Sequence, residues 1–173
     1  MLQAMTKQAI KRSEAKAAME ELVIEIVTTF FLLRAEGMRI GVVSPSGEGY
    51  WSMLRILKMN GPQTVPQIAR YRYVPRQSIQ KLANQMLQDG VIELINNPAH
   101  KRSKLLRLTP KGEAVFQKLS DRFSWLCETL AKRQDAVQLQ NAVVVVKHLR
   151  EQLKQMLEQE NQIHSSQNDY KCS

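Results

Sequence analysis

Cysteine, histidine and glycine are all scarce in this chain, and their arrangement closes off several kinds of chemistry. The two cysteines among its 173 residues, Cys127 and Cys172, lie far apart with no metal-ligand spacing. The three histidines, His100, His148 and His164, are too scattered to form a local cluster, so no metal site is expected. There is no Gly-rich phosphate loop and no His-Glu-x-x-His segment. No catalytic residue or cofactor emerges, and the expectation is a protein that is not an enzyme. The sequence also lacks the run of about 18 apolar residues that a membrane-spanning helix requires. Its opening stretch, MLQAMTKQAIKRSEAKAAMEEL, carries charges every few positions where a secretory signal would be apolar. A cytoplasmic protein with reduced thiols and no membrane partner is expected.

What is present is positive charge, and it is localised. The chain carries a net charge of +9 with 43% hydrophobic residues, enough for a folded core. Between Gly61 and Gly112 lie Arg70, Arg72, Arg76, Lys81, Lys101, Arg102, Lys104, Arg107 and Lys111, opposed only by Asp89 and Glu93. That segment, under a third of the chain, therefore holds seven of the nine net positive charges. A phosphate-rich partner fits such a concentration.

The hydrophobic pattern divides the chain into elements. Ile10, Ala15, Met19, Leu22, Val23, Ile26, Val27, Phe30 and Leu33 recur at three-and-four spacing, predicting a long amphipathic helix over 7–36, ended by Gly37 and Gly41. After a Ser44-Pro45-Ser46-Gly47 turn, a second helix fits from Glu48 to Met59. Thr64 and Gln67 form a capping box that opens a short helix through Ile68, Ala69 and Arg70. A Tyr71–Val74 turn leads to a helix over 75–88, with Pro75 in its first turn and Asp89-Gly90 at its end. The period then changes: 91–95 and 105–108 read as two strands of a β-hairpin. Thr109-Pro110 starts a fifth helix, with Ala114, Val115, Leu119, Phe123, Leu126 and Leu130 facing inward and Cys127 expected as a buried small hydrophobe. A last helix spans 135–160. Its valines at 143–146 favour a strand locally, but the helical period of Leu139, Val143, Val146, Leu149 and Leu153 extends well past them. The polar tail, residues 162–173, is expected to be disordered.

Helix, capped short helix, tight turn, helix and β-hairpin is the order of a winged helix-turn-helix. In that arrangement the helix after the turn lies in the DNA major groove. Its first exposed positions are Arg76, Gln77 and Gln80, side chains that pair bidentately with guanine (Arg) or adenine (Gln). Ser78, Lys81 and Asn84 are placed to hold phosphates and fix register. The wing, with His100, Lys101, Arg102 and Lys104, supplies the second basic surface.

From Tyr50 to Gly112 the chain resembles the multiple-antibiotic-resistance-regulator (MarR) family of transcription factors. The stretches WSMLRILKMNGPQTVPQIARYRYVPRQSIQKLANQMLQDGVIELINNP and KLLRLTPKG carry the resemblance. It implies that the flanking helices interlock two chains as a dimer, which the aliphatic stripe near residues 138–157 independently favours. It also implies a wing in which Arg102 enters a narrow minor groove. Relatives usually place an acid two residues earlier to orient that arginine, whereas here the position is His100. A protonated His100 would add positive charge beside phosphate. Many relatives respond to small phenolic or lipophilic effectors in a cleft, for which Phe30, Arg34, Trp51, Met53 and Arg55 are the candidates here. Oxidation-sensing relatives carry a cysteine near the N-terminal helix, and this chain has none there.

The expected fold is mostly α with a small β-hairpin wing. Residues 1–44 and 113–161 form dimerisation helices around a DNA-binding domain at 45–112. The expected function is a transcriptional regulator, a repressor, that binds a palindromic operator in double-stranded DNA as a homodimer and is released by a small-molecule effector. A winged-helix module for protein assembly or nonspecific nucleic-acid binding is the alternative.

Overall fold

The computed structural model describes the backbone of residues 2–43, 49–100 and 102–169, with side chains described between residues 12 and 159 of these ranges. Among them the order is α1 (Leu2–Arg39), α2 (Tyr50–Asn60), α3 (Val65–Arg72), α4 (Arg76–Gln88), β1 (Ile92–Ile95), β2 (Leu105–Leu108), α5 (Pro110–Ala131) and α6 (Ala136–Asp169). The chain divides into two compact units, Met1–Trp125 and Leu126–Ser173. The Ser44–Gly47 turn, Glu48 and Lys101 lie outside the described residues.

Three helices of the first unit end in the same way. In α1 the Val42 N–H reaches the Gly37 carbonyl (2.8 Å) and the Gly41 N–H reaches Met38 (3.1 Å). In α3 Val74 bonds to Ala69 (3.1 Å) and Tyr73 to Arg70 (3.2 Å). In α4 Val91 bonds to Met86 (3.1 Å) and Gly90 to Leu87 (3.0 Å). This paired closure satisfies carbonyls left over at a helix end and requires a left-handed residue before the valine. Gly41 (φ 76°), Tyr73 (φ 53°) and Gly90 (φ 68°) fill that position. Gly37, expected to help end the first helix, lies inside it; the stop is made at Gly41 alone.

The core sits where α2, α3, α4 and the hairpin meet. Met53, Leu54, Ile68, Ile79, Leu82, Met86, Val91 and Leu106 are fully enclosed there. Burying a side chain of that size contributes about 1.5–3 kcal/mol. β1 and β2 pair antiparallel, with Ile92 opposite Leu108 and Glu93 opposite Arg107. Gln63 adds a one-residue bridge, exchanging both backbone bonds with Leu106 (3.1 and 2.8 Å). A single paired residue has no periodicity, so the sequence pattern did not reveal it.

α5 departs from its expected face at four residues, since Phe123 (38%) and Leu130 (54%) are exposed along with Ala114 and Cys127. Ala114 is exposed, while Val115, Phe116 and Leu119 pack inward, because Gly112 already occupies the position closest to Val91. Cys127 is exposed on α5 instead of buried. In the second unit Asp135 caps α6, its carboxylate accepting the Gln138 N–H at 2.9 Å. The four valines, 143–146, are helical, as the longer period required. The backbone of α6 continues to Asp169, through much of the segment expected to be a disordered tail.

Candidate nucleic-acid interface

The helix-turn-helix segment, α3 and α4, is assembled from its two ends. At the start of α3 the Gln67 N–H donates to Thr64 Oγ1 (3.3 Å) and the Thr64 N–H donates to Gln67 Oε1 (2.8 Å), the reciprocal capping box. Pro75 stands at the N-cap of α4, one position before the helix proper. α4 then buries Ile79, Leu82, Ala83 and Met86. The side chains named for DNA contact, Arg76, Gln77, Ser78, Gln80, Lys81 and Asn84, are all exposed. Gln80 donates from Nε2 to Asn84 Oδ1 at 2.9 Å, which steadies its amide along the helix.

The far end of α4 is tied down by Asp89. Its carboxylate accepts from the Tyr50 hydroxyl (3.0 Å) and from Gln85 Nε2 (3.0 Å), and its carbonyl accepts from Lys111 Nζ (2.7 Å). Burial, then the hydrogen bond and charge of Asp89, push the Tyr50 phenol well above its ordinary range, so it stays a donor. Thr109 completes the junction. Its hydroxyl donates to the Gly90 carbonyl (2.8 Å) and accepts the Gly112 N–H (3.0 Å). Tyr50→Phe is expected to cost about 1 kcal/mol in denaturant unfolding, the net value of one part-buried hydrogen bond. An unchanged midpoint would show that Tyr50 does not hold α4.

The wing is a structured loop. Asn97 Oδ1 accepts the Ala99 N–H at 3.0 Å, and Lys104 Nζ pairs with Asn96 Oδ1. His100 Nδ1 accepts the Ser103 N–H at 3.2 Å, so the imidazole supplies an acceptor to the loop from the position where the resembled family usually places an acid. Arg107 is held across the strands by Glu93 at 2.8 Å and belongs to the sheet surface. Arg102 and Lys104 are exposed on the same loop, and Lys101 lies outside the described residues.

The residues proposed for an effector cleft do not converge on one cavity. Met53 is wholly enclosed in the core, because its position on α2 faces the same side as Leu54 and Leu57. Trp51 stacks on Phe123 (4.6 Å between centroids) and donates from Nε1 to Ser120 Oγ (3.1 Å), with Arg55 lying 5.8 Å from its ring. Phe30 is exposed on α1 against the edge of Phe31, and Arg34 is half-buried. An open cavity of about 470 Å³ is instead lined by Arg39, Ile40, Asp121, Arg122 and Trp125. Sequence reasoning missed these residues, since what brings them near each other is the turn at Gly41, where Arg122 Nη1 donates to the Ile40 carbonyl at 2.8 Å. Among the described residues no group of three or more His, Cys, Asp or Glu side chains could hold a metal, and no helix is long and apolar enough to cross a membrane.

Comparison with known proteins gives a concordant result. The profile of the MarR family matches residues 43–103. An uncharacterized protein of Mycobacterium tuberculosis is 34% identical over 126 residues, covering 70% of this chain and 87% of that one. An uncharacterized HTH-type transcriptional regulator of Bacillus subtilis is 32% identical over 69 residues, 39% of this chain and 45% of its own length. Among solved structures, a MarR family transcription regulator superposes with a TM-score of 0.62 at 24% identity, covering 90% of this chain and 98% of that one. A Staphylococcus aureus MarR in complex with salicylate and kanamycin gives 0.61 at 22% identity, covering 79% and 95%. With its capped α3, exposed α4 and hairpin wing, the chain belongs to the MarR family of winged-helix, DNA-binding transcription regulators.

Proposed function

We propose that the protein is a cytoplasmic homodimeric repressor that binds a palindromic operator and is released by a small lipophilic or phenolic effector. The observation that carries this reading is α4, which buries one face completely and leaves Arg76, Gln77, Gln80 and Lys81 exposed on the other. Arg76, Gln77 and Gln80 select bases, Ser78, Lys81 and Asn84 hold phosphates, and the wing reaches the adjacent minor groove.

The exposed apolar residues support a dimer. α1 leaves Val23, Val27, Phe30 and Leu33 exposed, and α6 leaves Val143, Val146, Leu153 and Leu157 exposed. Each square ångström of such surface removed from water stabilises an assembly by about 25 cal/mol. A two-fold dimer places two copies of α4 on half-sites about one helical turn apart. Footprinting on fragments selected from the source genome tests this directly. Two protected half-sites at that spacing are expected, together with a dimer on sizing at micromolar concentration; a monomer protecting a single half-site would exclude the reading. The effector part is supported by the open cavity of the first unit and by the salicylate bound in the Staphylococcus aureus relative.

Arg102→Ala is expected to weaken binding most on operators with A·T-rich flanks, where the narrow minor groove concentrates negative potential. A loss of equal size on G·C-rich flanks would reduce Arg102 to a phosphate contact.

A further inference from the structure

We infer that Tyr73 is a DNA-backbone contact of this regulator, its hydroxyl donating to a phosphate oxygen beside the groove entered by α4. The inference rests on the reading of α4 as the recognition helix, and it starts from an internal comparison. α1, α3 and α4 close with the same pair of backbone bonds, and each places a valine (Val42, Val74 or Val91) after the left-handed position. In α1 and α4 that position is Gly41 and Gly90; in α3 it is Tyr73, at φ 53° and ψ 42°. Tyr73 is the one non-glycine residue with positive φ among the described residues. A Cβ in this conformation crowds the following carbonyl, so glycine is the more stable choice at a helix end.

Packing does not account for the tyrosine. The residue is 51% exposed, and among the described residues no hydrogen bond engages its hydroxyl. Tyr71 is also exposed, at 63%, but lies in ordinary helical backbone within α3 and needs no such explanation. Strain kept at an exposed residue points to a role outside the folded chain.

Location decides the ligand. Tyr73 stands outside α4, three residues before Arg76, in the turn that delivers the helix to the groove. In a helix-turn-helix the start of the second helix reaches base edges while the first helix, which Tyr73 caps here, crosses the sugar-phosphate backbone. A phenol offers one neutral donor, suited to a phosphate oxygen and adding nothing to the salt dependence that cationic contacts create.

Two variants and one reference test the inference on a genome-selected operator duplex. Tyr73→Phe keeps the ring and the backbone strain and removes only the donor; its affinity should fall about tenfold, with the salt slope unchanged. Tyr73→Gly should lose at least as much affinity while its thermal midpoint rises by about 2–4 °C, through relief of the left-handed strain. Greater stability with weaker binding is a combination that a purely structural tyrosine would not produce. A Tyr73→Phe protein that binds like wild type overturns the inference, and so does a Tyr73→Gly protein that is no more stable. Arg76→Ala is the reference. If it binds the operator as wild type does, the reading of α4 fails and the inference falls with it. If Arg76→Ala is weakened and Tyr73→Phe is not, only the inference fails.

Discussion

Gly112→Ala is expected to destabilise the protein by about 3 kcal/mol, a large change for one methyl group. A Cβ at Gly112 would overlap the Val91 carbonyl oxygen and sit 3.0 Å from its carbon. Neither group can yield cheaply. The Val91 carbonyl accepts the Thr109 N–H at 3.1 Å, and the Val91 N–H closes α4 on Met86. Gly112 is itself buried and donates its N–H to Thr109 Oγ1. Any shift that relieves the overlap therefore separates the start of α5 from the end of α4. Urea unfolding of Gly112→Ala and Lys111→Ala provides the comparison. Lys111 is exposed and contributes one hydrogen bond to Asp89, so its loss should cost under about 1 kcal/mol. Equal midpoints for the two variants would show that the close approach is not rigid.

Arg76→Ala is expected to lower operator affinity by about 10- to 100-fold while leaving the unfolding midpoint near that of wild type. One bidentate contact to a base is worth about 1–3 kcal/mol of discrimination. Arg76 opens α4, is exposed and takes no part in the core, so its removal should leave the fold in place. The loss should be concentrated at one base pair of each half-site, relaxing selectivity there. Lys81→Ala makes the contrast. If Lys81 meets phosphate, binding should weaken to a similar extent on every sequence and the salt slope should shrink by about one counterion. An Arg76→Ala protein with unaltered selectivity would move base recognition to other residues of α4.

Much of this was legible in the sequence because its signals were local. Thr64 and Gln67 define a helix start within four residues, and Asp89-Gly90 defines a helix end within two. The change of period at Val91 marked the wing, and the extended period around Val143 outweighed the local preference for a strand. What was not legible depended on contacts between distant segments. Gln63 joins the sheet only because Leu106 arrives beside it. Met53 fits the description of a cleft residue in sequence, yet α2 turns it fully into the core. Cys127 was expected to be buried on the strength of residue type, and its place on α5 leaves it exposed. Gly37 looked like a stop but is an interior helical residue, since Gly41 alone supplies the left-handed turn. Tyr73 could not be identified as left-handed by pattern, because its residue type argues against that conformation.

We propose that α4 and the wing read a DNA sequence. The most direct measurement of this is the affinity of the wild-type protein for a genome-selected fragment and for a scrambled duplex of equal length and composition. Both should be titrated at physiological salt and at twice that concentration. A preference of about 10³-fold or more for the selected fragment is expected, with both affinities falling steeply as salt rises. Equal affinities for the two duplexes at physiological salt would contradict it, leaving only a basic surface that binds nucleic acid without reading it.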